Sequence, residues 1–572
     1  MVRSVIYRTG LVLLSSQQAL TVFCFISICT RRVRFFFSVA HKLSDSMISQ
    51  FINYDISSED EIISETENNS GGNPTDNIHP NWNIGSSSDE SSSNEVPLSR
   101  YMTNNSVSEN EIRSKNGEFV WSKISLEGRG RLGSANLIKL TPGITRYASN
   151  RINTFRSAFD LFINKRIKSI VLKQTNMEES SRFGNEWDSM DEIELDAYLG
   201  LPIFAGVFKS NYESLDSLWS EVYGRPIFRA TMSLKRFKKI TAILRFDKRS
   251  DREARRQSDK LPDIRDVWDE WATLLPMYYN PNTNITIDEQ LLSFRGRCPF
   301  RQHMPSKPNK YGIKFWILCD SETGYVRSIQ CCTGKLQGNA PEKNQGMCAV
   351  LDLTEGLQAY NLTCDNFFTS YELAETLLDR KLTVLGTLRK NKPQIPLNLL
   401  DTKKPVFSST FAFNSKMVLV SYIPKKNKNV ILLSTNHNKI EIHDSEQKKP
   451  KTIMDYNATK GAVDFLDKMV SAYSCKRMTR RWPVAIFHNM IDISCFNAYV
   501  LYCDTNPDWK QKSKIQRRLF LEKLGMELVN DHIDRRKTFP RTNASLELVQ
   551  RMKTGVTETT ATSSAQNSLC IA

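Results

Sequence analysis

Asn284-Ile285-Thr286-Ile287-Asp288 and, further on, Lys310-Tyr311-Gly312-Ile313-Lys314-Phe315-Trp316-Ile317-Leu318-Cys319-Asp320 decide how this chain folds. The first is a short β-like run ending on an acid. In the second, Tyr311, Ile313, Phe315, Ile317 and Cys319 alternate as one face of a strand, because successive side chains of extended backbone point to opposite sides. Asp320-Ser321-Glu322-Thr323-Gly324 is turn chemistry, and Tyr325 to Cys332 reads as the returning strand. Outward from there come a helical stretch at about 344–357, a strand ending at Thr363-Cys364-Asp365, a helix from Tyr371 to Arg380, and a strand from Leu382 to Leu388. The order predicts an α/β fold, a mixed sheet flanked by helices.

Upstream the periodicity is helical: Ile152, Phe155, Phe159, Phe162 and Ile163 recur at helix spacing, as do Leu195, Tyr198, Leu199 and Ile203. Ser233 to Phe246 reads as another amphipathic helix, and the polar stretch Asp247 to Asp259 as a loop. Downstream, short β-like runs (Val406 to Phe413, Met417 to Tyr422, Val430 to Ser434) predict a β-rich insertion before helices return at Lys460 to Tyr473 and Val484 to Tyr502. After Asp504 the chain is basic (Lys510, Lys512, Lys514, Arg517, Arg518, Arg535, Arg536, Lys537) and then rich in Ser and Thr, so it reads as a tail.

The 572 residues are 40% hydrophobic and 24% charged, which suits a folded protein rather than a disordered one. A net charge of +16 favours a polyanionic partner, since Lys and Arg gain free energy by displacing counterions from phosphates. The charge is uneven: between Asp55 and Glu118 thirteen acids face three bases. That Ser- and Asn-rich segment has little apolar surface to offset its ordering entropy and reads as a disordered tail. The 12 cysteines form no CxxC pair, which excludes the common zinc and disulfide patterns and points to a reducing compartment. Leu11 to Cys29 is largely apolar, with Arg31 and Arg32 behind it. It reads as a weak anchor, a presequence, or an extension ahead of a natural start at Met47; the last is the expectation adopted. No later stretch reads as apolar enough to span a bilayer, so no membrane partner is expected.

Three acids stand at informative places. Asp288 and Asp365 end short strands, and Asp464 lies on a helix with Asp467 one turn along the same face. Carboxylates at strand ends and on a facing helix can converge, and such hard oxygens suit two Mg²⁺ or Mn²⁺ ions for phosphoryl transfer. From spacing alone the ordinary reading of Asp288 and Asp365 is a turn or cap residue, and of Asp464 and Asp467 a solvated helix face, less so for Asp464 with its apolar neighbours Val463, Phe465 and Leu466.

The chain resembles the piggyBac-type transposases and the host proteins derived from them, over about residues 140 to 505. Thr286-Ile287-Asp288-Glu289-Gln290-Leu291-Leu292 with Phe294-Arg295-Gly296-Arg297-Cys298-Pro299-Phe300 is similar to the family's first aspartate block. Lys307-Pro308-Asn309-Lys310-Tyr311-Gly312-Ile313-Lys314 continues it. Thr363 to Ser370 resembles the second block, Tyr456 to Asp467 the third, and Arg480-Arg481-Trp482-Pro483 the motif that follows.

The resemblance implies an RNase H-like core and cut-and-paste transposition at TTAA targets in the nucleus. It implies Asp288, Asp365 and Asp464 as catalytic triad, with Asp467 an accessory metal ligand. It also implies a division into an uncertain extension (1–46), an acidic tail (47–130), a helical dimerisation and DNA-binding region (131–283), a core in two parts (284–390 and 456–505) around a β-rich insertion (391–455), and a tail (506–572). Trp482 reads as an aromatic stacking on DNA near the cleavage site or as a core residue beginning the helix that Pro483 opens; Arg480, Arg481, Arg295 and Arg297 are phosphate candidates. Lys307, Lys310 and Lys314 read as phosphate contacts or as lysines guarding a strand edge. Two departures stand out. Ala462 replaces a glycine common before the third aspartate. After Asp504 only His532 and Cys570 remain as ligand types, so the family's zinc module cannot be built and no zinc is expected. The expected partner is double-stranded DNA, bound as a homodimer. The expected activity is metal-dependent strand cleavage and transfer, with a non-cutting, domesticated DNA-binding protein as the alternative.

Overall fold

The computed structural model describes residues 110–125, 140–183, 188–305, 307, 309–334, 344–510 and 513–554. The N-terminal extension and most of the acidic tail expected from the sequence lie outside the described residues, as does the Ser/Thr-rich end. The strands are β1 (Glu111–Arg113), β2 (Val120–Ser122), β3 (Gly143–Ile144), β4 (Tyr279–Asn280), β5 (Asn284–Ser293), β6 (Gln302–His303), β7 (Tyr311–Asp320), β8 (Val326–Cys331), β9 (Asn361–Cys364), β10 (Thr383–Thr387), β11 (Ser409–Phe413), β12 (Val418–Lys425) and β13 (Lys428–Ser434). Among the described residues all but β3 and β4 join one sheet, in the order β1-β2-β11-β12-β13-β10-β9-β5-β7-β6, with β8 also on β7.

The centre of that sheet follows the sequence pattern. β5 runs antiparallel to β7 and parallel to β9, and β9 is parallel to β10. The three strands of the β-rich insertion form an antiparallel meander that extends the sheet through β13 on β10, rather than a separate body. At its far edge sits a correction to the sequence reading. Residues 110–125, assigned to the acidic tail, fold as the β1–β2 hairpin and pair with β11 at Phe413–Ser122. The reason is Trp121, 1% exposed, which packs into the core beneath the sheet and donates its indole N–H to the Gln394 carbonyl at 3.0 Å.

Helices cover both faces. One side carries α1 (Phe155–Asp160), α2 (Lys165–Phe183), α3 (Glu192–Val207), α4 (Leu234–Ile243) and α5 (Arg265–Leu274), which share a core with Phe315, Ile317 and Cys319 of β7. The other side carries α6 (Gln345–Leu353) and α7 (Tyr371–Asp379), packed on Ile285, Ile287, Trp316 and Leu318. Alternation along β5 and β7 thus feeds two different cores. The Asp247 to Asp259 stretch, read as a loop, contains a turn of 3₁₀ helix and a short α-helix, Arg252–Arg255.

Three helices follow in the second half: α8 (Lys451–Thr459), α9 (Ala462–Ala472) and α10 (Trp482–Thr505). α10 is apolar and long enough to cross a membrane by length and composition, contrary to the sequence reading, but it is buried within the protein. It is apolar all round because neighbours surround it. The basic segment after Asp504 is not a tail. It forms α11 (Gln516–Asp534) and α12 (Asn543–Thr554), and Phe520, Leu521, Leu524, Leu528 and Val529 of α11 are buried against the N-terminal helices. Close approach fixes that contact: a Cβ on Gly200 of α3 would stand 2.7 Å from Val529. Several of its arginines are structural. Arg535 pairs with Asp191 at 2.8 Å, Arg536 donates to the carbonyl of Ala230 at 2.6 Å, and Arg517 reaches the Met469 carbonyl.

Candidate functional site

Pairing register places the first two acids side by side. Ile287 of β5 is opposite Cys364 of β9, so Asp288 and Asp365 are the next residues on two parallel neighbours. Ile287 and Cys364 face the apolar core with α6 and α7. The intervening residues point the other way and are polar: Thr286 Oγ1 donates to the Thr459 carbonyl at 2.8 Å, and Thr363 Oγ1 meets Thr459 Oγ1 at 2.7 Å. Those bonds seat the α8–α9 junction over this face. α9, which starts just beyond, carries Asp464 in its first turn and Asp467 one turn later.

The four acids differ in environment. Asp288 accepts the backbone N–H of Glu289 at 2.8 Å. Burial pushes its carboxyl from 3.8 up to about 7 against that bond, with repulsion from Asp464 and then Asp365 and Glu289 adding to the rise. Asp467 accepts from Gln290 Nε2 at 2.6 Å, and Gln290 in turn accepts from Asn489 of α10 at 2.8 Å. Burial raises the Asp467 carboxyl to about 6, opposed by the Gln290 bond and by the charge of Lys307. Asp365 accepts from Thr387 Oγ1 at 2.9 Å and is exposed. Asp464 is exposed at 71%, with Lys307 Nζ 3.8 Å away. Burial lifts the Tyr456 hydroxyl to about 12, and it feels both Asp365 and Asp288. Among the described residues no three His, Cys, Asp or Glu side chains stand close enough to form a finished metal cage. The acids share a field without closing on a point.

The basic candidates separate. Lys307 stands at the acids and also approaches the Glu289 carbonyl at 3.4 Å. Lys314 is 8% exposed on a central strand, paired with Glu289 and 4.7 Å over the Phe367 ring, so it is neither an exposed edge lysine nor an open phosphate contact. Lys310, Arg295, Arg297 and Arg480 are exposed. Arg481 is committed to backbone: its guanidinium donates to the carbonyls of Thr241 at 3.1 Å, Ala242 at 3.3 Å and Leu244, tying off the end of α4. Trp482 is 7% exposed with its ring edge-on to Phe300 at 5.1 Å, the placement of a core residue opening α10. Gln290, Thr387 and Tyr456 escaped the sequence reading. Gln290 was findable, since it shares the strand face of Asp288 two residues on; Tyr456 opens the third motif block but was given no role there, and Thr387 carries no local signal.

Comparison with known proteins agrees with this architecture. A family model described as Transposase IS4 matches residues 155–499. The human PiggyBac transposable element-derived protein 3 is 23% identical over 370 residues, 60% of this chain and 60% of that protein. A human chimeric ERCC6-PGBD3 protein matches at the same identity over 34% of its own length. The chain therefore spans 60% of the length of one of these curated relatives and 34% of the other. A cryo-EM structure of a piggyBac transposase synaptic complex with hairpin DNA superposes with a TM-score of 0.68 and 35% identity, covering 75% of this chain and 91% of that one.

Proposed function

The chain belongs to the piggyBac-type transposases, and from that premise we propose that it is a DNA-cleaving and strand-transferring core of RNase H-like design, with Asp288, Asp365 and Asp464 as catalytic triad and Asp467 as accessory acid. The observation that carries the proposal is the geometry that sets Asp288 beside Asp365 on parallel strands, with the helix of Asp464 and Asp467 seated over the same face; burial, with repulsion from Asp464 and Asp365 adding to it, raises the Asp288 carboxyl. Like charges held together on a polar sheet face call for a cation. The donors are hard oxygens, which fit Mg²⁺ or Mn²⁺ rather than zinc.

Divalent ions bound there would supply Lewis acidity and an activated nucleophile for in-line phosphoryl transfer. The chain's own residues prepare the place. Asp288 must give up its proton to act as a ligand, and Glu289 N–H already bonds its oxygen. Gln290, braced by Asn489, holds one oxygen of Asp467 and aims the other. Thr387 fixes Asp365. Asp464, open to solvent, is the acid free to swing inward. Exposed Arg295, Arg297, Lys310 and Arg480 would meet DNA phosphates and set its register without reading sequence. The likeness to a synaptic complex with hairpin DNA supports DNA as the substrate; duplex DNA with a TTAA target, a homodimeric working form and a nuclear location complete the proposal on the family resemblance alone.

One observation favours a second reading, a domesticated protein that binds DNA without cutting. The acids do not close into a three-ligand group among the described residues, and a lysine stands beside Asp464. Supercoiled-plasmid nicking with Mg²⁺ or Mn²⁺ decides between them. Cleavage that vanishes in Asp288→Ala supports the enzyme; nicking no greater than in that variant leaves only the binding protein.

A further inference from the structure

Ser434-Thr435-Asn436-His437 closes β13, and Asp455 sits in the middle of α8. Ser434 is fully buried, opposite Leu385 of β10. Its hydroxyl oxygen accepts the backbone N–H groups of Asn436 at 3.1 Å and His437 at 3.3 Å. Those bonds use both lone pairs of the hydroxyl, so its proton goes to His437 Nδ1, 2.7 Å away. The imidazole proton then sits on Nε2 and is donated to Asp455 Oδ2 at 3.0 Å. Thr435 ties the same turn to β10: its N–H donates to the Val384 carbonyl at 2.9 Å, and its hydroxyl oxygen accepts the Val384 N–H at 2.8 Å. The turn is fixed to the sheet, and His437 passes that rigidity to α8.

Ser, His and Asp joined in one chain of donors are also the parts of a nucleophilic hydroxyl. Burial of Ser434 excludes that use, since no substrate reaches its oxygen. What lies beyond Asp455 is the acid site. Thr459 follows four residues on, along the same helix face and about 6 Å further up the axis. It is the residue bonded to Thr286 of β5 and Thr363 of β9. Between the two, Tyr456 turns its hydroxyl to Thr387, whose own hydroxyl donates to Asp365 at 2.9 Å. After Thr459 only Lys460 and Gly461 precede α9, which carries Asp464 in its first turn.

Two features leave the placing of α8 to directional bonds. Its N-terminus at Pro450 has no side-chain cap. Ile453 packs on Leu385, Tyr422 and Leu432, but apolar contact does not fix rotation or axial position. The joint with α9 is open as well: among the described residues nothing stands within 4 Å of where a Cβ on Gly461 would be. Where α9 begins is therefore set from α8.

Resting on the proposed cation-binding role of the acids, we propose that His437 is a positioning residue for that site: by holding Asp455 it sets the rotation and axial place of α8, and through Thr459 and Tyr456 the places of Asp464 and Asp365. It acts only through α8 and takes no part in bond breaking. A bond that supports the ligands is felt in ion affinity, whereas one that only holds the fold together is felt in melting temperature.

The test titrates the full chain with Mn²⁺ alone, without DNA, and reads binding from the loss of the free ion's electron paramagnetic resonance signal. His437→Leu and Asp455→Ala remove the bond, while His437→Gln keeps an N–H donor near the reach of Nε2. Trp121→Ala is the control, because it weakens the core at the far edge of the sheet. Melts in EDTA check that each variant folds; Asp455 is 45% exposed on a helix, where alanine is well tolerated. The Mn²⁺ dissociation constant should rise about tenfold in His437→Leu and Asp455→Ala, stay within about twofold of wild type in His437→Gln, and not move in Trp121→Ala. Amide exchange of α8 and the first turn of α9 should speed in the two variants that lose the bond, while β5 keeps its protection. A wild-type dissociation constant in both His437→Leu and Asp455→Ala overturns the inference and leaves the proposed role of the acids standing. Equal losses in His437→Gln and His437→Leu, or a comparable loss in Trp121→Ala, also overturn it, since affinity would then follow packing or global stability and not the bond. Wild type that binds no Mn²⁺ overturns the inference together with the cation-binding role of the acids.

Discussion

Replacing Asp288 with Asn should stabilise the protein in the absence of metal, and the gain should depend on pH. The folded chain holds the Asp288 proton more tightly than the unfolded chain, since burial and neighbouring carboxylates raise the group from 3.8 to about 7. The native state therefore binds more protons between those values, and stability falls as pH rises through that window. Above it the penalty is fully present. The displacement corresponds to roughly 4 kcal/mol at ~1.4 kcal/mol per tenfold change in affinity. Water at a partly open site reduces this to about 2 kcal/mol. Asn keeps the oxygen that accepts the Glu289 N–H and removes the charge. In EDTA at pH 8, Asp288→Asn should melt roughly 2 °C above wild type, and the gap should close steadily toward pH 4. Mn²⁺ should reverse the order. At ~100-fold above its dissociation constant an ion adds about 2.7 kcal/mol to a protein that binds it only when folded, so wild type at pH 8 should rise by a similar interval and the variant should barely respond. Differential scanning fluorimetry over pH and Mn²⁺ reads all of this. A variant less stable than wild type at pH 8 in EDTA, or one with the same Mn²⁺ response, refutes a strained acid cluster awaiting a cation.

Other consequences are as direct. Lys307→Met removes the ammonium 3.8 Å from an Asp464 that is 71% exposed; stability should change by less than ~0.5 kcal/mol while the Mn²⁺ concentration giving half the thermal shift falls, and an unchanged midpoint rejects Lys307 as a competitor for the site. Trp121→Ala should cost about 3–5 kcal/mol in urea unfolding and speed amide exchange along Ser409–Phe413, whereas a tail residue would do neither. Leu528→Ala on α11 should cost about 2–5 kcal/mol in the same assay, against no change for a dispensable tail.

The centre of the sheet was readable because its strands alternate cleanly and its turn residues are strong. β7, β9 and β10 fall within a residue or two of their expected bounds, whereas β5, expected to end at Asp288, runs on to Ser293 and leaves that acid inside the strand. The edges were not readable for different reasons. The β1–β2 hairpin is two three-residue strands in acidic surroundings, and composition averaged over the whole segment outweighed one Trp121. α11 was hidden by its charges. Arg517, Arg518, Arg535 and Arg536 dominate a count of residue types, although Phe520, Leu521, Leu524 and Leu528 already recur at helix spacing. For Arg481 and Trp482 the motif was plain but its use was not: three backbone carbonyls and a Phe300 ring, all distant in sequence, decide where those side chains go. No local pattern encodes that.

The acids show why a motif can be legible while its geometry is not. Asp288 and Asp365 are fixed by register on parallel strands, the kind of sheet position where ligands gather in α/β folds. Asp464 and Asp467 arrive from a helix held over the same face by hydroxyl bonds through Thr286, Thr363 and Thr459. Strand register is set to within one residue, because a slip would send Asp288 into the apolar core and Ile287 out of it. On the helix, Asp467 is tied to the strand through Gln290, whereas Asp464, among the described residues, meets only the distant ammonium of Lys307. The strand acids are therefore the rigid half of the proposed site, and the exposed Asp464, paired only weakly with Lys307, is the half that would have to move if the acids hold a cation. A divalent ion would lower the repulsion that holds the two halves apart, so binding the ion and closing the site would be one event rather than two.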